Sequence, residues 1–254
     1  MVVVCALLAL ALWRSNAGEP TPVSAADVNR AVQRGLEQAQ QKERATPPDA
    51  VTAYRTINPS LVTVTTERSA PNTGGAGATQ VGMGAGVVIN ARGAVLTALH
   101  VVEDGRQIGV RFADGTRASA RVASRSADSD IAVLAVDRLP EVVVPAVMAG
   151  PPQVGDDVYA VGNPLGLQGS LTAGVVSAND RSVRTEDQCS LDELIQFDSA
   201  VNLGNSGGPL LNRDGRVVGI VTGLANPSQQ SHFIGIGFAV PIATAGGVAG
   251  GPQQ

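Results

Sequence analysis

Short apolar runs separated by turn residues dominate the chain from residue 61 onward. Residues 61–65 are rich in β-branched side chains, which favour strands. Later runs follow at intervals of about ten residues, with Gly, Asp and Asn between them and without helical periodicity. Because short strands at this spacing are typical of sandwiches and barrels, the sequence predicts an all-β fold. The further runs are residues 86–89, 94–98, 108–112, 131–136, 158–161, 171–176, 195–197, 217–222 and 234–240.

The N-terminal pattern is different. Residues 2–13 form an apolar run that is short of the ~20 residues needed to span a bilayer as a helix. The run fits the hydrophobic part of a secretory signal, and small residues follow it at 15–18. No positive charge precedes the run, so a membrane anchor is the alternative. We expect residues 1–18 to be a signal peptide or membrane anchor, and the chain to be exported to the periplasm or another extracytoplasmic compartment.

A polar helix is predicted after this segment. Ser24 and Asp27 have the spacing of a capping box, and apolar residues then recur at helical spacing up to about residue 41. Pro47 and Pro48 are expected to end the helix. Since the rest of its surface is charged and polar, we interpret residues 19–51 as a helical stalk or linker before the domain.

Composition and charge exclude several classes of function. The net charge is −4 and no basic block is present, which argues against nucleic acid as a partner. Aromatic residues make up only 3% of the chain, so the core must be aliphatic. Cys5 lies in the segment expected to be removed or membrane-bound, so Cys189 has no partner and no disulfide is expected. Two cysteines and two distant histidines cannot build a metal cluster, and no cofactor is expected.

Ser206 is the candidate nucleophile. It lies between Gly204-Asn205 and Gly207-Gly208, and Pro209 follows. Glycines permit positive φ values and leave backbone N–H groups uncovered by side chains. A nucleophilic serine needs both features, because N–H groups must point at the oxygen that gains charge when a carbonyl is attacked. The alternative is an ordinary turn, since Gly, Ser and Pro are common turn residues.

A serine nucleophile needs a base and an acid that orients the base. His100 lies between two apolar runs and is either a core histidine or that base, whereas His232 lies in a polar loop and is expected to be solvated. Asp130 directly precedes an apolar run, and a partly buried carboxylate needs a partner. Asp128 is the competing acid and is expected to be exposed. Weaker candidates near turns are Asp156, Asp157 and Asp198.

An internal similarity links two segments of the chain. Residues 87–97 and 209–219 each place Asn, two further residues and Gly between apolar runs. We interpret both as hairpins in comparable places of two similar halves, with chance similarity between hairpins as the alternative.

The chemistry-bearing residues lie in three motifs in the order His, Asp, Ser. They are Thr-Ala-Leu-His-Val at 97–101, Asp-Ile-Ala-Val-Leu at 130–134 and Gly-Asn-Ser-Gly-Gly-Pro-Leu at 204–210. Together with the segments 84–89, 162–167, 172–177 and 235–241, they resemble the trypsin-like serine proteases, and most closely the HtrA (Deg) family. The resemblance covers about residues 59–241.

This resemblance implies two six-stranded antiparallel barrels of the chymotrypsin type with a cleft between them. The implied protease domain spans residues 52–243, with the barrels at 52–142 and 143–243 and a flexible tail at 244–254. Ser206 would attack the peptide carbonyl, His100 would transfer the proton and Asp130 would orient His100. The implied oxyanion hole is Gly204, Asn205 and Ser206, with the N–H groups of Gly204 and Ser206 as donors. The implied substrate pocket is Val201, Val221, Thr222, Gly223, Leu224 and Ala225.

The resemblance also implies a substrate class. The pocket residues are apolar or small, so we expect cleavage after small aliphatic residues and not after Lys or Arg. The implied function is a serine endopeptidase acting on unfolded or damaged exported proteins, with homotrimers formed through residues 54–59. A catalytically idle protease-fold chaperone or peptide-binding protein is the alternative. A serine esterase is disfavoured, because Ser206 lacks the strand-to-helix context of such enzymes.

Three departures from the family pattern stand out. Leu203 replaces a proline common before the Gly-Asn-Ser string, and residues 179–191 form a charged segment that we expect to be a loop. Family members usually carry a PDZ domain after the protease, and none is expected within these 254 residues.

Overall fold

The computed structural model describes residues 24–45, 48–69, 79–184, 190–224 and 233–250. The chain divides into two units, residues 1–47 and 48–254. The apolar segment expected to be a signal or anchor lies outside the described residues, as do both cysteines and His232.

The first unit contains helix α1 (Ala25–Ala45). This confirms the predicted helix, although it continues past the expected end at residue 41. Its apolar residues Val28, Val32 and Leu36 are all exposed. Within the described ranges, no helix has both the length and the apolar character needed to cross a membrane.

The second unit begins with helix α2 (Asp49–Ile57) and a 3-10 turn (Asn58–Ser60), which lead into a six-stranded barrel. Its strands are antiparallel and close in the order β1-β2-β3-β6-β5-β4. The short helix α3 (Leu99–Val102) follows β3 directly. The strands are β1 (Leu61–Ser69), β2 (Thr79–Val88), β3 (Val95–Ala98), β4 (Gln107–Phe112), β5 (Arg117–Ser126) and β6 (Ile131–Val136).

A second closed barrel follows in the same unit. Its strand order, read around the barrel from β7, is β7-β8-β9-β12-β11-β10, which repeats the order of the first barrel. Helix α4 (Ile242–Val248) ends the described chain. The two barrels confirm the predicted all-β fold. The strands are β7 (Asp157–Gly162), β8 (Ser170–Arg184), β9 (Ser190–Phe197), β10 (Pro209–Leu211), β11 (Val217–Leu224) and β12 (Gly237–Pro241).

Three apolar clusters hold the second unit together. One fills the first barrel with aliphatic side chains such as Val64 and Leu134, and one fills the second barrel around Phe197. A third joins both barrels to α2 and α4 and contains Leu96 and Ile220. Because burial of apolar surface is the main favourable term in folding, this shared cluster fixes the two barrels against each other.

The two similar segments form hairpins, as predicted, with the same turn chemistry. Asn90 Oδ1 accepts hydrogen bonds from the N–H groups of Arg92 and Ala94 at 3.0 and 3.1 Å. Asn212 Oδ1 accepts from Asp214 and Arg216, both at 3.0 Å. The expectation of comparable places is wrong, however. The first hairpin joins the second and third strands of its barrel, and the other joins the fourth and fifth strands of the second barrel.

Two segments expected to be irregular are regular in the structure. The charged segment 179–191 is mostly strand, since β8 extends to Arg184 and β9 begins at Ser190. The predicted tail begins within α4, and Ser124 Oγ donates to the carbonyl oxygen of Val248 at 2.9 Å. Contacts between distant segments determine these elements, and local composition does not report such contacts.

Candidate active site

His100 and Asp130 meet because the strands that precede and follow them are paired. His100 lies in α3, directly after β3, and Asp130 directly precedes β6. These strands are antiparallel neighbours, with Ala98 opposite Ile131. The N–H of Leu99 donates to the carbonyl oxygen of Asp130 at 2.9 Å, which closes this end of the pair.

The Asp130 carboxylate contacts His100 at two points. The backbone N–H of His100 donates to Asp130 Oδ1 at 2.9 Å, and ring atom Nδ1 lies 2.7 Å from Oδ2. A carboxylate at Nδ1 favours the tautomer that carries its proton there, so that Nε2 can accept a proton. The side chain of Asp130 is 14% exposed and that of His100 is 48% exposed, so the acid is shielded while the ring reaches the surface. This is the arrangement of a base held by an orienting acid.

Asp130 adopts an unusual backbone conformation. Its φ is 51°, in the left-handed region that non-glycine residues rarely occupy. Such a conformation persists when surrounding contacts fix it, and it is common at functional sites. Here the contacts are the hydrogen bonds from Leu99 and His100 described above. The backbone of Asp130 is thus held in the conformation that directs its carboxylate at the imidazole.

Thr222 completes the set of donors to this acid. Its hydroxyl donates to Asp130 Oδ2, so that a residue on β11 of the second barrel supports a carboxylate of the first. The sequence placed Thr222 in the substrate pocket, but its hydroxyl faces Asp130. A threonine within an apolar run has only the pattern of a strand residue, so no sequence signal pointed to this contact.

The Ser206 loop is held by both barrels. The N–H of Ala85 on β2 donates to the carbonyl oxygen of Ser206 at 2.9 Å. The N–H of Gly207 donates to the carbonyl oxygen of Val221 at 2.7 Å, and the N–H of Val221 donates to the carbonyl oxygen of Gly208 at 2.9 Å. Ser206 itself is half-buried. The loop therefore has a backbone position fixed from two sides.

Gly207 shows that this loop is more than an ordinary turn. Its φ is 81°, and a Cβ there would collide with Thr97 Oγ1 and with the carbonyl oxygen of Ala85. Thr97 Oγ1 donates to that same carbonyl oxygen at 2.7 Å. Thr97 precedes His100 by three residues, so the backbone beside Ser206 packs against the segment that carries His100. The structure thus brings together the three segments that the sequence singled out.

The backbone N–H groups of residues 204–206 differ in their use. Gly204 has a φ of 103°, which glycine alone adopts readily. The N–H of Asn205 donates to the carbonyl oxygen of Asn202 at 3.0 Å. Within the described residues, the N–H groups of Gly204 and Ser206 donate to no backbone carbonyl. Among the described backbone carbonyls, one therefore engages the N–H of Asn205 and none engages the N–H groups of Gly204 and Ser206.

The structure describes four of the residues expected to line the pocket, from Val201 to Gly223. Val201 and Val221 are buried and apolar. Open space surrounds the position that a Cβ on Gly223 would occupy, so this backbone borders a clear volume. The side chain of Leu224 and the whole of Ala225 lie outside the described residues. The described part of the predicted pocket carries no charge.

Three of the competing acids are engaged elsewhere, and the fourth, Asp128, is exposed, as predicted. Asp198 Oδ1 accepts from the backbone N–H of Val175 at 2.6 Å, and Asp156 Oδ2 accepts from the backbone N–H of Gln153 at 2.8 Å. Asp157 pairs with Arg213 at 3.0 Å. Across the described ranges, no group of three or more His, Cys, Asp or Glu side chains could hold a metal ion.

Comparison with known proteins agrees with the sequence motifs and the two-barrel fold. The family model for the trypsin-like peptidase domain matches residues 84–220. A probable periplasmic serine endoprotease, DegP-like, from Rickettsia conorii is 38% identical over 169 residues, which cover 65% of this chain and 32% of that protein. The chloroplastic Protease Do-like 1 of Arabidopsis thaliana is 37% identical over 170 residues, or 66% of this chain and 38% of the relative.

Solved structures of HtrA-type proteases resemble this fold. The HtrA-type protease AlgW with tripeptide superposes with a TM-score of 0.69 at 29% identity, covering 79% of this chain and 62% of that chain. The complex of AlgW with decapeptide gives a TM-score of 0.66 at 27% identity, covering 79% and 67%. The chain spans about a third of the length of the curated relatives it matches. From its sequence, barrels and site geometry, the chain belongs to the family of trypsin-like peptidase domains, with DegP-like and HtrA-type proteases as relatives.

Proposed function

We propose that the chain is a serine endopeptidase in which Ser206, His100 and Asp130 form the catalytic triad. The observation that carries this proposal is the 2.7 Å contact between His100 Nδ1 and Asp130 Oδ2, beside a serine loop held by both barrels. A protein that only binds peptides does not need a carboxylate that orients an imidazole through two contacts. The named proteases among its relatives support the same conclusion.

The chemistry follows from these positions. Ser206 Oγ attacks the peptide carbonyl carbon while His100 Nε2 accepts the hydroxyl proton, and the carbonyl oxygen becomes an oxyanion. The N–H groups of Gly204 and Ser206 donate to that oxyanion. The C–N bond then breaks as His100 returns the proton to the leaving amine, which gives an acyl-enzyme on Ser206. His100 then deprotonates a water molecule that attacks the acyl carbon, the ester bond to Ser206 Oγ breaks, and His100 returns the proton to Oγ as the acid product leaves.

The substrates we propose are unfolded polypeptides in an extracytoplasmic compartment. The DegP-like relatives are named as periplasmic, and two AlgW structures hold a tripeptide and a decapeptide. An extended peptide fits a cleft between barrels better than a folded surface does. Membrane anchoring by residues 1–18 and trimer formation through residues 54–59 stay predictions from the sequence.

Specificity is proposed to favour a small aliphatic residue before the cleaved bond. Val201 and Val221 are apolar, and no charged side chain lines the described part of the pocket. A peptide library profiled by mass spectrometry is expected to show Val, Ala or Ile at that position. A profile dominated by Lys or Arg would contradict this assignment, because a basic side chain needs an acidic partner in the pocket.

Removal of the Thr222 hydroxyl is expected to slow catalysis without abolishing it. A hydrogen bond to a charged group is worth about 1.5–3 kcal/mol, so Thr222→Val should lower kcat about 10–100-fold. The matched control is Thr56→Val in α2, whose hydroxyl donates to the carbonyl oxygen of Thr52 at 2.9 Å. Steady-state hydrolysis of a peptide substrate measures both. Equal kcat values for Thr222→Val and wild type would remove the role given to this contact.

The experiment that tests the proposed function is digestion of β-casein, which is largely unfolded, beside an equally large folded protein. We expect casein fragments whose new termini follow small aliphatic residues, and much slower loss of the folded protein. Binding of casein without fragments would identify an idle, peptide-binding protease fold instead. Hydrolysis of small esters with intact casein would indicate an esterase.

A further inference from the structure

Asn163 is a buried polar residue beside the candidate active site that the triad chemistry does not use. It follows β7 of the second barrel directly and is only 5% exposed. Burial of an amide side chain is unfavourable unless its donors and acceptors are satisfied. Both ends of this amide have partners, and those partners belong to different parts of the domain.

The side chain of Asn163 ties the second barrel to the first. Its Nδ2 donates to the carbonyl oxygen of Gly84 on β2 at 3.0 Å. Its Oδ1 accepts from the N–H of Gly169 at 3.2 Å, in the connection between β7 and β8. Gly84 precedes Ala85, whose N–H donates to the carbonyl oxygen of Ser206. The amide thus fixes the strand segment that holds the serine.

The backbone of Asn163 contacts the Ser206 loop directly. Its N–H donates to the carbonyl oxygen of Gly204 at 3.0 Å. Its own carbonyl oxygen lies so close to Gly204 that a Cβ at this glycine would collide with it. The carbonyl group and the Cα of Gly204 are therefore packed against Asn163. Asn163 thus connects the Gly204 backbone to the second barrel and, through its side chain, to β2 of the first.

We propose that Asn163 is a positioning residue for the oxyanion hole. This inference rests on the proposed peptidase function and adds a residue to it. Asn163 does not touch the reacting atoms. Its backbone holds Gly204 at a φ of 103°, and its side chain holds β2 against the Ser206 loop, so that Asn163 sets the directions of the N–H groups of Gly204 and Ser206.

We expect a large loss of kcat because the rate depends steeply on the positions of the N–H donors in the oxyanion hole. Displacement of catalytic groups by about 1 Å can lower the rate about 10²-fold, and loss of one oxyanion donor costs about 10²–10³-fold in kcat. The oxyanion exists only after attack, whereas the substrate carbonyl binds the same N–H groups weakly. Loosening of Gly204 should therefore lower kcat while leaving KM nearly unchanged.

The test is Asn163→Ala, with kcat expressed per active site titrated by a fluorophosphonate probe. We expect kcat about 10²-fold below wild type, KM within about threefold, and binding of a peptide boronate weakened in proportion to kcat. The matched control is Asn179→Ala, since Asn179 Nδ2 donates to the carbonyl oxygen of Pro152 at 2.9 Å in the same barrel. The control should keep the wild-type kcat even if it melts at a lower temperature.

Two outcomes would overturn the proposal. One is a kcat per titrated site for Asn163→Ala within threefold of wild type. The other is an equal loss in Asn179→Ala, which would assign the effect to general destabilisation.

Asn163→Asp separates the two side-chain hydrogen bonds, because a carboxylate keeps the acceptor for Gly169 but cannot donate to Gly84. It should be as slow as Asn163→Ala, and a wild-type kcat would contradict the role of the Gly84 bond. An inactive wild type would instead refute the peptidase function itself.

Discussion

Replacement of Ser206 by alanine is expected to lower kcat for peptide hydrolysis about 10⁶-fold, one of the two largest effects in our account. The alanine methyl group cannot attack a carbonyl, so the acyl-enzyme cannot form. The N–H groups of Gly204 and Ser206 and the bound peptide would still give a residual rate of about 10³–10⁴ over water. Hydrolysis of a fluorogenic peptide, followed over long incubation, measures the loss.

The matched control for this change is Ser199→Ala. Ser199 is fully buried, and its hydroxyl donates to the carbonyl oxygen of Val158 at 3.2 Å. Loss of that hydrogen bond is expected to lower the free energy of unfolding by about 1 kcal/mol and to leave kcat unchanged. Activity in Ser206→Ala equal to that of Ser199→Ala would show that another group performs the chemistry.

Replacement of His100 by alanine is expected to have a similar effect, about 10⁶-fold in kcat. Without the imidazole, the proposed mechanism lacks the group that accepts the hydroxyl proton and returns it to the leaving amine. Asp130 cannot substitute for it, because its carboxylate is held by the backbone N–H of residue 100 and by Thr222. The two losses should not add, since serine and histidine act as one unit. The double variant should be about as slow as either single variant.

The chain's other histidine provides the control. His232 lies in a polar segment of the sequence, so His232→Ala is expected to keep the wild-type kcat and KM. If His232→Ala lost as much activity as His100→Ala, the assignment of His100 as the catalytic base would be contradicted.

The chemistry-bearing residues could be proposed from sequence because each lies at the end of a recognisable pattern. His100 and Asp130 each adjoin an apolar run, and those runs became the paired strands β3 and β6. Glycines around Ser206 indicated positive φ values, and Gly204 and Gly207 have them. Local patterns at strand ends thus singled out the three candidate residues, and the resemblance to a known family, which their order carries, implied their roles.

The supporting residues could not be proposed in the same way. Thr222 lies inside a β-branched run and Asn163 lies in a Gly-Asn-Pro turn, so local propensity explains both without any role in a site. Their roles arise from contacts across the barrels, with Asp130 in one case and with Gly84 and Gly204 in the other. Such contacts depend on tertiary packing, which spacing along one chain does not encode.

The same limit explains the errors in secondary structure. Residues 179–191 are charged and were expected to form a loop, yet pairing between β8 and β9 makes most of them strand. The segment after residue 243 has no strong helical pattern, yet packing of Ile242 and Ala245 into the shared cluster supports α4. Neighbouring elements, rather than intrinsic propensity, determine these segments.

The measurement that tests the central claim most directly is the site and rate of phosphonylation by a fluorophosphonate probe. The claim is that His100, held by Asp130, makes one serine hydroxyl reactive. Peptide mapping of the labelled wild-type chain should place the probe on Ser206 alone, and labelling of His100→Ala should be about 10²–10⁴-fold slower. Labelling on a different serine, or equal labelling rates for wild type and His100→Ala, would contradict the account.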